Sequence, residues 1–453
     1  MATSALSDLA GRLARNECAS REVIESALER IADPAGEGQK TYTLVFRESA
    51  RLYADATDKL RSAGAELSPL AGLPVSLKDL LDVRGEVTTA GSPLLRDASP
   101  ADSDAPVVSR LKQAGAIIVG RTNMTEFAYS GIGLNPHLGT PANPYRRNER
   151  RIPGGSSSGA TISVTDGMAW AAIGSDTGGS VRIPAALCGL TGFKPTKSRV
   201  PIAGAFPLSE TLDSIGPIAR SVAACIAIDA VISSSDLRVS ERTDLTNVRF
   251  ILPRNYFVES LDTAVGAAFE RALGKLSGAG AKIVEMPLPE FDRIREINAT
   301  GGFSGVESYA VHRRLGLNQA KYDPLVLERV ERGRGVSAAD YLDMREERNA
   351  IIARVEARTK GFDAVLSPTV PIVAPKISDV ANSQDEFRRV NVLLLRNPSV
   401  VNFLDGCALS IPCHAHGEAP VGLMLSGPRM GDAALLSLGL AVERLVAPSP
   451  VVF

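Results

Sequence analysis

Histidine is scarce in this chain: its 453 residues include only His137, His312, His414 and His416. A serine nucleophile needs a base beside it, so any such proton chemistry here falls to another residue type, and lysine is the candidate. Cysteine is also sparse. Cys18, Cys188, Cys225, Cys407 and Cys413 are odd in number and scattered, with no Cys-x-x-Cys, which argues against a disulfide framework or a zinc knuckle. Each reads as a small buried hydrophobe. A net charge of -1 leaves no basic excess for nucleic acid or an anionic membrane. No run approaches the roughly 18 apolar residues of a membrane span. Asp8, Arg12, Arg15 and Glu17 stand where a signal peptide would carry its apolar core. The expectation is a cytoplasmic protein with neither cofactor nor metal.

What is present is an ordinary globular composition, 44% apolar and 22% charged. Residues 20–32 read as an amphipathic helix with Ser20 as N-cap and Glu22 in its first turn. A second helix is expected near 47–63. From residue 71 onward, apolar strand-like runs (74–77, 116–119, 168–173) alternate with helical segments such as 106–114. That alternation predicts an α/β fold around a largely buried sheet. Helices at 221–233 and 262–279 follow, with strands at 248–252 and 282–286. Residues 322–360 are charged and mostly helical. Strands return at 364–367, 408–412 and 421–425 before a closing helix over 432–445. The expected organisation is a pair of N-terminal helices (1–65) packed on a core of 66–453, with a helical insertion at about 290–360.

Two glycine-rich segments carry serines. The first, Pro153-Gly-Gly-Ser-Ser-Ser-Gly159, lacks the Gly-Lys-Ser/Thr of a phosphate loop. It matches Gly-x-Ser-x-Gly around Ser157, with Asp405 and His414 downstream, but the nucleophile elbow needs a preceding buried strand, and Arg150–Pro153 is a poor one. In the second, an apolar run leads straight into Asp176-Thr-Gly-Gly-Ser180. Two glycines allow consecutive N–H groups to converge, so Thr177, Gly178, Gly179 and Ser180 are candidate oxyanion donors.

Lys78 is the third candidate, in the apolar run Leu73-Pro-Val-Ser-Leu-Lys78. The plain alternative is a strand-end lysine paired with a carboxylate. Asp79 does not decide the matter, because adjacent strand residues face opposite sides. To serve as a base, lysine must fall from ~10.4 by roughly three units, about 4 kcal/mol, and burial is the usual means.

The two serine segments, spaced 24 positions from Ser156 to Ser180, together with Gly72–Asp79, resemble the amidase signature family. Thr122–Glu126, Asn135–Pro144, Gly192–Thr196, Asp213–Pro217 and Pro420–Pro428 fit the same pattern in the same order. The resemblance implies a mixed central β-sheet sandwiched by α-helices. It makes Ser180 the nucleophile, Ser156 a bridging serine in a cis peptide, and Lys78 the base. Asp176 and Arg182 become supports of the nucleophile loop. By the same analogy Tyr129, Gly131, Ile183 and Phe303 are expected at the substrate, with Tyr309 nearby. The run Ser158-Gly-Ala-Thr-Ile162 and the pair Thr165-Asp166 depart from the family's small residues.

The implied activity is hydrolysis of a small carboxamide or anilide through an acyl-enzyme. Its rivals are a glutamine-hydrolysing subunit of a tRNA-dependent amidotransferase and a catalytically inactive binding protein. The region after 300 lacks the tyrosine-rich helical segment associated with such subunits. The expected partners are a small amide and a second copy of the chain, with no nucleic acid and no membrane. A metal site at His414 and His416 is disfavoured because no third ligand is evident. His137 is expected to order its Asn-Pro-His-Leu-Gly loop.

Overall fold

The computed structural model describes residues 9–233, 237–242 and 244–448; Asp8 lies outside them. Eleven strands form a single sheet: β1 Tyr42–Val45, β2 Pro74–Lys78, β3 Ile117–Thr122, β4 Ala171–Ser175, β5 Thr191–Lys194, β6 Ile215–Ala219, β7 Arg249–Leu252, β8 Lys282–Glu285, β9 Ala364–Pro368, β10 Cys407–Pro412 and β11 Gly422–Gly427. Their spatial order is β1-β3-β2-β4-β6-β5-β10-β11-β9-β7-β8. The sheet is mixed. β3, β2 and β4 run parallel, the central strands through β11 and β9 are antiparallel, and β9, β7 and β8 are parallel again. Helices cover the sheet, so β2, β3, β4 and β10 are buried along their whole length. Burial on both faces is why these strands read as continuous apolar runs, not as alternating ones.

The sheet brings the two candidate segments together. β2 and β4 pair in parallel with Leu77 opposite Ile173, so both strands deliver their C-terminal residues, Lys78 and Ser175, to the same edge. Ligand sites of α/β sheets collect at that edge. β4 begins at Ala171, later than the expected 168, and extends to Ser175. The helix Ser158–Thr165 packs beneath it, and its small residues are required there. A Cβ on Gly159 would stand 2.4 Å from Thr41 O and 2.8 Å from Asn123 N.

Three strands lie where no strand was expected. β1 pairs antiparallel with β3, so the region before residue 65 contributes to the main sheet as well as covering it with helices. β5 and β6 are rich in glycine and proline, which ordinarily signal turns. Here glycine permits close approach: a Cβ on Gly216 would fall 2.1 Å from Phe193 O. The N-cap assignment also changes. Ser20 lies inside the helix Ser20–Ala32, and the Asp58 carboxylate accepts the Ser20 and Arg21 N–H groups at 2.7 and 2.9 Å.

Residues 290–360 form the helices Glu290–Ala299, Gly302–Leu315, Pro324–Glu331 and Ala338–Thr359. A further helix, Gln384–Phe403, follows in a stretch given no helical reading. It presses Pro398 against the segment that carries Ser180, where a Cβ on Gly179 would meet Pro398 Cβ at 2.5 Å. Gly179 has φ +123, which together with this contact leaves only glycine at that position.

Candidate active site

Lys78 closes β2 with its side chain fully buried. Its Nζ donates to Ser156 Oγ at 2.7 Å and to Ser175 Oγ at 2.8 Å. Its partners are hydroxyls, and the neighbouring Asp79 is turned away to pair with Arg121 at 2.8 Å. Burial pulls the Lys78 ammonium down to about 7, although the Asp176 and Asp213 carboxylates pull it back up. The amine is therefore poised to gain and lose a proton near neutrality.

Ser156 follows Gly155 through a cis peptide bond. Its carbonyl accepts the Thr125 N–H at 3.1 Å, and Gly155 donates to Gly131 O at 2.8 Å. The 125–131 loop thus wraps Ser156 from outside. Ser157 sits directly behind, fully buried, with Oγ donating weakly to Ser175 O at 3.5 Å. The elbow arrangement is absent: His414 packs on Gly189, and Asp405 lies toward Arg429, 3.9 Å away.

Ser180 stands between β4 and the helix Arg182–Cys188. Its segment is clamped by Asp176, which accepts the Gly179 N–H at 2.8 Å and the Val181 N–H at 3.1 Å. Arg182 adds two hydrogen bonds to the same carboxylate, and Asn402 adds a third at 2.9 Å. Burial alone would raise the Asp176 pKa, but the Arg182 guanidinium outweighs it and keeps the carboxylate ionised. Thr177 Oγ1 donates to Asp213 at 2.5 Å. Burial pushes that carboxyl up to about 6, against the hydrogen bonds of Thr177, Leu208 and Ser209. The Gly179 N–H is accordingly committed to Asp176 and does not point at a substrate.

Gly131 and Ile183 meet: a Cβ on Gly131 would touch Ile183 Cδ1 at 3.2 Å and Leu395 Cδ2 at 3.5 Å. Leu395 also borders Gly178 at 3.4 Å. Tyr129 is buried beneath Arg329, whose guanidinium carbon lies 4.6 Å from the ring centroid. Phe303 departs from the expected position. It is fully buried and packs edge-on against Tyr341 and Phe403, so its ring fills core space away from any open wall. Tyr309 lies with His312 on a separate cavity. His137 is held in its loop by Asn135 Oδ1, which accepts its N–H at 2.9 Å.

Ser175, Asp213 and Asn402 were not singled out from the sequence as site residues. Ser175 and Asp213 were visible inside quoted motifs, but nothing in their spacing marked their roles. Asn402 is reachable only through the unexpected helix. Among the described residues, no group of three His, Cys, Asp or Glu side chains is placed to hold a metal.

The profile of the family described as Amidase matches residues 22–436. The chain belongs to the amidase family. This amidase is 36% identical over 455 residues to the 2-amino-5-chloromuconic acid deaminase of Comamonas testosteroni, covering 97% of this chain and 96% of that protein. It is 34% identical to a subunit of the glutamyl-tRNA(Gln) amidotransferase of Roseiflexus castenholzii, covering 96% of this chain and 94% of that one. A crystallised amidase superposes with a TM-score of 0.85 at 30% identity over 97% of this chain and 99% of its own. The chain is a hydrolase of amide C–N bonds. No described helix is long and apolar enough to cross a membrane.

Proposed function

We propose that this amidase cleaves a small carboxamide or anilide through an acyl-enzyme on Ser180, with Lys78 as base and Ser156 as relay. The observation that carries the reading is the 2.7 Å contact between Lys78 and Ser156, made in a fully buried pocket without a carboxylate partner. A neutral amine has a lone pair, so the same contact serves with Ser156 O–H donating to Nζ. Ser180 Oγ attacks the amide carbon; its proton passes to Ser156 Oγ as the Ser156 proton passes to Lys78. The developing oxyanion is met by the N–H groups of Thr177, Gly178 and Ser180, Gly179 being committed to Asp176. Each such donor typically lowers the barrier by about 3–4 kcal/mol.

When the C–N bond breaks, the proton returns from Lys78 through Ser156 to the leaving nitrogen. Water then attacks the acyl carbon, giving one proton to the same relay. Ser180 leaves as the ester bond breaks and recovers that proton, which frees the acid. Gly131, Ile183 and Leu395 form the wall beside the acyl group, with Tyr129 beyond them. The five free thiols support a reducing compartment, and we place the enzyme in the cytoplasm.

The test uses the purified chain alone. A fluorophosphonate should label Ser180 and block release of ammonia or aniline from simple amides. Hydrolysis that appeared only with partner proteins and charged tRNA would instead support the amidotransferase reading. An unlabelled Ser180 and no hydrolysis of any amide would support the inactive binding protein.

A further inference from the structure

The stretch between Arg199 and Ile215 contains no helix or strand, so its path is fixed by individual hydrogen bonds. Glu307, on the helix Gly302–Leu315, reaches it from the helical insertion. Glu307 Oε2 accepts the Ser209 hydroxyl at 2.6 Å and the Thr211 N–H at 2.9 Å. Its Oε1 accepts the Thr211 hydroxyl and, at 2.6 Å, the Tyr341 hydroxyl. Bonds from neutral donors to a carboxylate are stronger than those between neutral groups. Phe303 stands one turn earlier on the same helix, and its burial against Tyr341 and Phe403 fixes the face from which Glu307 projects.

The same turn is gripped from the side of the site. Asp213 Oδ2 accepts the Leu208 N–H at 3.0 Å and the Ser209 N–H at 3.1 Å, and its Oδ1 accepts the Thr177 hydroxyl at 2.5 Å. Directly after Asp213, the Asp176 N–H donates to Ser214 O at 2.7 Å, and the Ser214 N–H donates back to Asp176 O at 3.2 Å. Ser209 serves both carboxylates, its hydroxyl bonding to Glu307 and its N–H to Asp213. A continuous series of bonds therefore runs from the insertion to Thr177, in the segment that carries Ser180. Two carboxylates on one turn carry a cost: burial raises the Asp213 carboxyl, and the Glu307 charge raises it further. Such a cost fits a place where position matters more than stability.

We propose that Glu307 is a positioning residue for amide hydrolysis. It fixes the 208–213 turn and, through Asp213, sets the direction in which the Thr177 N–H faces the oxyanion. The helical insertion thereby acts on the rate of the reaction from outside the reacting groups. Misplacement by about 1 Å at such a site costs roughly a hundredfold. The inference rests on the reading of Ser180 and its N–H donors.

Saturation kinetics with a fluorophosphonate probe, whose phosphoryl oxygen takes the place of the oxyanion, test the proposal. In Glu307→Ala the maximal rate of Ser180 labelling should fall roughly ten- to hundredfold, with the half-saturating probe concentration changed less than about threefold. Glu307→Gln keeps one acceptor oxygen and should fall between that variant and the parent; it carries the comparison if Glu307→Ala does not fold. Tyr341→Phe cuts the bond within the insertion and leaves those to the turn, so its labelling should stay within about threefold of the parent. Hydrogen exchange reads the positioning without any chemistry. Peptides spanning 174–181 and 207–214 should exchange faster in the Glu307 variants, while those of β10 and β11 keep the parent rate. If the parent is not labelled at Ser180, the Ser180 reading fails and the exchange comparison alone decides. Labelling of both Glu307 variants within about threefold of the parent overturns the proposal. So does unchanged exchange over 174–181, or a loss in Tyr341→Phe as large as that in Glu307→Ala.

Discussion

Two serine hydroxyls hold the Lys78 amine where a carboxylate would have fixed it as a permanent cation. The folded pKa of about 7 lies below the ordinary lysine value of 10.5. The unfolded chain therefore binds a proton that the folded chain releases between about pH 7 and 10. Stability rises with pH across that window, and the penalty is fully present below 7. Lys78→Met should accordingly stabilise the fold at pH 6 by roughly 3 kcal/mol, read from urea unfolding, while activity is lost. A variant less stable than its parent at pH 6 would contradict the depressed pKa. Arg182 works in the opposite sense. Removing it in Arg182→Met leaves Asp176 buried with only neutral donors, and we expect a loss of about 3–5 kcal/mol, with kcat falling as the Gly179–Val181 turn loosens. A loss below about 1 kcal/mol by the same unfolding measurement would show that the clamp does not depend on the ion pair.

At the scale of elements, the helix Arg182–Cys188 begins two residues after Ser180 and rests on β5. A Cβ on Gly192 in β5 would stand 2.8 Å from Ala185 Cβ and 2.9 Å from Val181 O. Gly192→Ala should push that helix off the sheet, lowering stability by about 1–3 kcal/mol and reducing kcat more than it changes KM. Unaltered steady-state kinetics would show that the helix does not position Ser180. The same glycines explain what the sequence concealed. β2, β3, β4 and β10 were legible because buried strands make unbroken apolar runs, whereas β5 and β6 carry Gly192, Gly216 and Pro217, residues that locally announce a turn. Their role depends on neighbours distant in the chain. The helix Gln384–Phe403 was hidden for a related reason. Pro398 and a series of asparagines break its pattern, and Asn391, Asn397 and Asn402 are buried because each answers a backbone or side-chain group elsewhere. Ser156 and Ser180 stood out in glycine-rich segments and Lys78 in an apolar run, and the structure brings Lys78 within 2.7 Å of Ser156. Ser175 and the commitment of Gly179 to Asp176 were not legible, because both follow from which atoms meet once β2 and β4 pair.

Across the whole molecule, the closing helix Asp432–Val446 ties the C-terminal part of the chain back to the sheet. Its Glu443 accepts the Val222 N–H at 2.8 Å, at the start of the helix Val222–Ile232. Burial pushes the Glu443 carboxyl up to about 7, against the Val222 and Thr191 hydrogen bonds. The folded state thus holds a proton that the unfolded chain releases above about 4.5, and stability falls as pH rises from there to 7. Glu443→Gln keeps the acceptor and removes the titration, so the difference in unfolding free energy between pH 5 and pH 8 should shrink by up to about 3 kcal/mol relative to the parent. An identical difference in both proteins would place the titrating group elsewhere.

The central claim is that a lysine titrating near neutrality drives the serine chemistry, and the pH dependence of kcat/KM tests it most directly. The account predicts a rate that falls tenfold per pH unit below an inflection near 7. In Lys78→Ala the inflection should disappear, with kcat/KM lower by roughly a hundred- to ten-thousandfold. A profile flat from pH 5 to 8 in the parent enzyme, or a Lys78→Ala variant within about tenfold of it, would contradict the account.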